Sequence, residues 1–359
     1  MSDNATSQTD FALKLLATLP HSGSVVLSPL SISLGLALIH AGACGSTQKE
    51  LEDVLGGSRI FEEFSGLMEA VGDTDNGVET KIVNRVFVNQ AYTIHQDYLE
   101  TVEKLYKASG ESLDFSQTEQ AAKTMNTFVE NHTNGKIKDL IPADSANNAF
   151  AFLVNAMYFK ADWQSKFAKE STTGREFFTS EAESRQIPFL TELDEHRDYT
   201  EDVLFQVLSL KYADPKFTLA IFLPKQRFGL VDALEKINGE YIQNLLNDLK
   251  SSYVSVQIPK FKIEKELDLK ETLEAIGIKE IFAEGADLSG IADKVFISSG
   301  IHKAIIEVDE DGTTAAAASA FKVQLEMMIM AEPTQFVADH PFLFAVLFEN
   351  HTLFLGVHA

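Results

Sequence analysis

Reactive side chains are plentiful in these 359 residues, but they do not fall into a catalytic spacing. No serine lies in a G-x-S-x-G turn. No Gly-rich run ends in the Lys-Ser/Thr of a phosphate loop, and no G-x-G-x-x-G is present. The nine His are scattered, with no H-E-x-x-H pair, and a single cysteine, Cys44, leaves no Cys-His zinc spacing. With 53 acidic residues, carboxylates fall side by side by chance, so an acid pair carries no signal. The expectation is a protein with no catalytic residue, no metal and no cofactor. One segment stands apart: residues 310–320 read Glu-Asp-Gly-Thr-Thr-Ala-Ala-Ala-Ala-Ser-Ala, ahead of the bulky run Phe321 to Met330. Taken alone, such a run suits an Ala-rich helix or a flexible linker.

The elements around it predict a mixed α and β chain. Ser28-Pro29 opens a helix, since Ser is a favoured N-cap and Pro is preorganised for the first turn. Leu30 to Ala43 is apolar nearly all round, so that helix should be buried. Thr47 and Glu50 have capping-box spacing ahead of Leu51. Helices are also predicted over 118–132 and over 266–276, the latter stopped by Gly277. Residues 82–89, 204–211, 217–223 and 253–258 read as strands. Residues 150–160 are apolar on both faces, as in a central strand. Along 301–308, alternation puts His302, Ala304, Ile306 and Val308 on one face. The tail from 341 to 358 is strand-like.

Composition limits the partners. A net charge of −23 repels phosphate backbones and anionic lipid, so neither nucleic acid nor membrane is expected. A lone cysteine fits a reducing compartment, and the first residues read as a helix rather than a leader. The expected location is the cytoplasm, or cytoplasm and nucleus. Cys44 itself reads as a small buried hydrophobe.

Glu310-x-Gly312-Thr313-x-Ala315-Ala316-Ala317 resembles the hinge of inhibitory serpins, and similar segments occur along nearly the whole chain. They include Ser28-Pro29-Leu30-Ser31-Ile32, Thr133-Asn134-Gly135-Lys136-Ile137, Val154 to Lys160 with Trp163, His302-Lys303-Ala304, and His340-Pro341-Phe342-Leu343-Phe344. The chain is similar to intracellular, ovalbumin-type inhibitory serpins. The resemblance implies an α+β fold in one domain over 1–359, with a large central sheet, two smaller sheets and about nine helices. It also implies an exposed reactive loop over about 312–338. Ser28, Ser31, Asn155 and His302 match the family's shutter, a polar cluster beneath the central strands. Trp163, Lys260 and Glu310 match its breach, where the loop enters the sheet, with Lys260–Glu310 as an ion pair. For Trp163 taken alone, core packing is the simpler reading.

The resemblance implies a suicide inhibitor, and the segment is suited to the task. As an added strand it puts Thr313, Ala315, Ala317, Ser319, Phe321 and Val323 on one face. Thr314, Ala316, Ala318, Ala320, Lys322 and Gln324 fall on the other. The first charge after Asp311 is Lys322, and no Pro interrupts the ladder before Pro333. About ten residues of new ladder, at about 1 kcal/mol net per hydrogen bond, amount to roughly 10 kcal/mol. The family's count from the hinge glutamate puts the scissile bond at Glu326–Met327, flanked by Leu325, Met328 and Met330. Counting back from Pro341 gives a bond near Met330–Ala331. The hinge count is preferred, because the inserting length must match the sheet. Glu326 implies acid-specific serine proteases of the granzyme B or glutamyl-endopeptidase type as partners. Leu325 also suits lysosomal, papain-like cysteine proteases. A methionine bait would imply chymotrypsin- or elastase-like targets. The expected state is a monomer able to form loop–sheet polymers. The alternative is a non-inhibitory serpin serving as chaperone or storage protein.

Overall fold

The computed structural model describes residues 2–20, 23–72, 77–147, 149–311 and 332–359. Among them are nine α-helices: α1 (Ser2–Ala17), α2 (Pro29–His40), α3 (Gly45–Leu55), α4 (Arg59–Gly72), α5 (Gln96–Tyr106), α6 (Thr118–His132), α7 (Leu230–Leu234), α8 (Gly239–Asn247) and α9 (Leu269–Ala275). The strands are β1 (Val25–Leu27), β2 (Val78–Asn89), β3 (Ser109–Leu113), β4 (Ala151–Ala161), β5 (Thr173–Phe178), β6 (Ser184–Glu201), β7 (Phe205–Lys211), β8 (Phe217–Pro224), β9 (Lys250–Pro259), β10 (Phe261–Asp268), β11 (Ile297–Val308), β12 (Thr334–Val337), β13 (Phe342–Phe348) and β14 (His351–His358).

The central sheet has the order β10-β11-β4-β2-β3. β4 explains why 150–160 lacks polar alternation: it lies between two apolar layers. Phe152, Val154, Ala156 and Tyr158 face a layer completed by Met125 and Val129 of α6. Leu153, Met157 and Phe159 face the main core. The same period of two divides β11, sending Ile301 and Ile305 to the first layer and Ala304 and Ile306 to the second.

The two smaller sheets expected from the resemblance are joined, among the described residues, into one ladder of nine strands. Its path is β1-β14-β13-β8-β7-β6-β9-β12, with β5 beside β6. β6 makes the join, because its first part pairs with β5, most of its length with β9, and its end with β7.

Several local expectations are corrected. The reactive loop does not extend to Ala338: Thr334–Val337 is strand β12, paired with β9, and Phe336 is fully buried. The helix expected over 266–276 begins only at Leu269. Alternate burial of Phe261, Ile263 and Leu267 keeps the chain extended, and Asp268 then caps α9 by accepting from the Glu271 amide at 3.1 Å. Thr47 and Glu50 form no capping box, since α3 already starts at Gly45. Instead, Glu50 accepts from the amides of Lys279 and Glu280 at 2.7 Å, and Thr47 Oγ1 accepts from the Asp287 amide at 2.9 Å. Both side chains tie α3 to a distant loop. Cys44 is half-buried and precedes α3, so it is not the core hydrophobe expected.

Candidate strand-insertion site

β4 and β11 are parallel neighbours. Their register runs from Ala151–Ile297 to Phe159–Ile306 and includes Asn155 opposite His302. β11 leads into residues 309–311, after which come Gly312 to Ala331. A segment that reversed after β11 and entered beside it would run antiparallel to β11, and so to β4 as well. One parallel ladder would become two antiparallel ladders, and parallel pairing is the slightly weaker per residue. The hinge residues Gly312, Thr313, Ala315, Ala316 and Ala317 lie outside the described residues. So do Leu325, Glu326, Met327, Met328 and Met330.

The four shutter candidates are brought together on the main-core side of this seam. Ser28 caps α2 by accepting from the Ser31 amide at 3.1 Å. Its own amide donates to His302 Nε2 at 3.1 Å. An Nε2 that accepts leaves the proton of a neutral imidazole on Nδ1, where it is donated to Asn155 Oδ1 across the β4–β11 seam. Asn155 Nδ2 donates to the Ser31 carbonyl at 2.5 Å and to Asn84 Oδ1 on β2. Burial drives the His302 pKa down to about 3, so the ring is neutral near pH 7. Gly35 lets α2 press this close, because a Cβ there would lie 3.3 Å from Asn155 Nδ2. Ser31 takes part through its backbone, and its hydroxyl has no partner among the described residues. Sequence reasoning missed Asn84 and also Met157, whose sulfur accepts from Ser28 Oγ at 2.8 Å. A polar residue within the Val83–Arg85 stretch of a strand was the available signal for Asn84.

The breach candidates meet at the end of β11. Lys260 Nζ lies 2.7 Å from Glu310 Oε2. Burial pushes the Glu310 carboxyl up, but hydrogen bonding led by Lys260 prevails and holds it below the usual range. The same bond raises Lys260 against its own partial desolvation. Burial likewise raises Asp309. Trp163 does more than fill core space. Its indole stacks on Tyr212 with centroids 4.4 Å apart, and its Nε1 donates to the Asp309 carbonyl at 2.7 Å. The Phe167 amide donates to the Glu310 carbonyl at 3.1 Å, and Lys169 lies 2.6 Å from Asp311. Residues 309–311 are therefore clamped by the 163–169 segment where the chain leaves β11. Tyr212 and Asp309 were not anticipated, since neither sits in a motif that marks it.

The class defined here is a protein whose central sheet pairs β4 and β11 directly in parallel, with a buried polar cluster across the join and residues 312–331 following the end of β11 in sequence. A sequence model of the family described as "Serpin (serine protease inhibitor)" matches residues 6–359. Human neuroserpin is 33% identical over 338 residues, covering 90% of this chain and 82% of that protein. Bovine leukocyte elastase inhibitor is 32% identical, covering 99% of each chain. The structure of Serpin48 from the insect Tenebrio molitor superposes with a TM-score of 0.86 at 30% identity, over 99% of this chain and 96% of that one. The chain belongs to the serpin family, a family of protease inhibitors rather than enzymes.

Proposed function

We propose that this serpin is a suicide inhibitor, acting as one unit over 1–359. The observation that carries the reading is the direct parallel β4–β11 pairing, bridged by Asn155 and His302, as the place an added strand would enter. The sequence that would fill it, Gly312 to Ala320, contains only Gly, Thr, Ala and Ser. A protease cutting Glu326–Met327 would form an acyl-enzyme with Glu326. The freed segment would then enter the seam and carry the protease along the sheet. A dozen residues at about 3.3 Å each span roughly 40 Å. A displacement of about 1 Å in a catalytic site can cost ~10²-fold in rate, so deacylation would stall.

The proposed targets are acid-specific serine proteases reading Glu326, together with papain-like cysteine proteases reading Leu325. The proposed location is the cytoplasm, with or without the nucleus, in keeping with the lone Cys44. The proposed state is a monomer that can form loop–sheet polymers. The hinge weighs against the non-inhibitory alternative, since it has no Pro and no charge between Gly312 and Phe321.

Incubation with a glutamate-specific serine protease should give a complex that survives SDS. Mass spectrometry of the released C-terminal peptide should show Met327 at its start. Cleavage without any covalent complex would refute the inhibitory reading. A peptide starting at Ala331 would move the bait to Met330.

A further inference from the structure

A cavity of about 1130 Å³ lies where the end of β14 and the 179–183 turn between β5 and β6 meet the start of β10 and of α7. It has room for a small molecule. No shutter or breach residue lines it. Its apolar wall includes Phe228, Leu230, Val231 and Phe261. Phe228 and Val231 are 36% and 50% exposed, and among the described residues only three other large apolar side chains are exposed. Apolar wall left open to water inside one cavity points to something that covers it.

The polar lining has two ends. On the turn, Glu181 and Glu183 are exposed and form no ion pair among the described residues. The lining cations are engaged elsewhere: Lys262 lies 2.7 Å from Glu264, and Arg185 Nη2 donates to the Ala359 carbonyl at 2.8 Å. At the other end, His358 is 5% exposed, and its Nε2 has no hydrogen-bond partner among the described residues. Its tautomer follows from Ser24. Ser24 Oγ accepts from the Ala359 amide at 3.0 Å and gives its one proton to the Ala359 carbonyl at 3.1 Å. It can therefore only accept from His358 Nδ1, 3.3 Å away, so the ring proton sits on Nδ1 and Nε2 is a bare acceptor. Burial drives the His358 pKa down to about 3, which keeps the ring neutral near pH 7. Native structures rarely leave a buried acceptor unpaired without a reason. The two ends lie within one ligand's reach. His358 packs on Phe177 with ring centroids 4.9 Å apart, and the turn begins two residues later, roughly 7 Å along the strand.

We propose that this cavity binds an arylalkylamine, a flat apolar body with an N–H or O–H donor at one end and an ammonium group at the other. The donor gives its hydrogen to His358 Nε2, the body lies against the apolar wall, and the ammonium meets Glu181 and Glu183. Charge and hydrogen bonding exclude the neighbouring classes. An acid head would face two carboxylates and a lone pair, and a purely apolar ligand would leave Nε2 unpaired. The site stands apart from the inhibitory reading and does not depend on it.

The test titrates the full chain with tryptamine by calorimetry and follows its melting temperature. Tryptamine should bind saturably and raise that temperature. Indole-3-propionate, with an acid in place of the amine, should bind at least about tenfold more weakly. His358→Phe keeps the ring packing on Phe177, Phe261 and Phe342 and removes the unpaired acceptor. It should melt no lower than the parent, yet bind about tenfold more weakly. Glu181→Gln combined with Glu183→Gln should cost a similar factor and remove the salt dependence of binding. A Cβ at Gly23 meets nothing within 4 Å, so Gly23→Trp can enter the cavity and should abolish binding in a protein that still melts cooperatively. Absence of saturable binding, equal affinity for the acid and the amine, or undiminished binding by His358→Phe or by the double glutamine variant overturns the proposal. Should Gly23→Trp fail to fold, the remaining variants decide it.

Discussion

The shutter and the breach hold the same two strands by opposite means. At the shutter, Ser28, Asn155 and His302 are fully buried and neutral, each bonded to another. Removing one member strands its partners away from water, where a lost hydrogen bond is felt in full. At the breach, the Lys260 ammonium, with 40% of its side chain exposed, reaches water, and it pairs with a Glu310 whose side chain is only 11% exposed. Opening is cheap at the breach and costly at the shutter. On the proposed mechanism, a segment entering from Gly312 would meet the breach first, so the weak lock would yield before the strong one, and the strong lock deeper along the seam would keep the uncut sheet shut.

The comparison can be broken at either end. The largest effect is expected from His302→Ala or Asn155→Ala, with a loss of about 3 kcal/mol in denaturant unfolding. Equal losses at shutter and breach would refute the contrast. Next comes pH. His302 is neutral when folded, with a pKa near 3 against an ordinary 6.5. Between these values the unfolded chain takes up a proton that the native ring refuses, so stability falls as pH falls below 6.5. The loss attributable to His302 should be about 2 kcal/mol between pH 6.5 and 5. His358, also lowered to about 3 by burial, contributes in the same window. A His302→Gln variant should accordingly flatten the profile without making it level. Trp163→Phe removes the bond to the Asp309 carbonyl but keeps an aromatic ring, and should cost about 1–2 kcal/mol. The smallest effect belongs to Lys260→Ala, at most about 1 kcal/mol and weaker in high salt. A breach variant should speed trapping or polymerisation more than it lowers equilibrium stability.

The sequence revealed most where a pattern had one physical meaning. Ser28-Pro29 could only open a helix. The two-sided apolar run of 150–160 required a strand buried on both faces, and β4 is one. Resemblance, rather than periodicity, pointed to Asn155, His302, Lys260 and Glu310 as neighbours. They come from segments far apart in the chain, and only the β4–β11 register and the turn from β9 to β10 bring them together. Where readings failed, local signals competed with tertiary ones. Thr47 and Glu50 had capping spacing, yet amides of the 279–287 segment claimed both side chains. Residues 266–268 have helix-compatible composition, but burial of Leu267 within β10 prevailed. Residues 334–337 looked like the far side of a loop, and the burial of Phe336 makes them a strand.

The most direct test compares melting before and after the chain is cut within residues 325–331. About 10 kcal/mol of added ladder, divided by the unfolding entropy of a chain of this length, corresponds to a rise of roughly 10–15 °C. That rise is what insertion between β4 and β11 predicts. A cut protein that melts at or below the temperature of the intact one would contradict it.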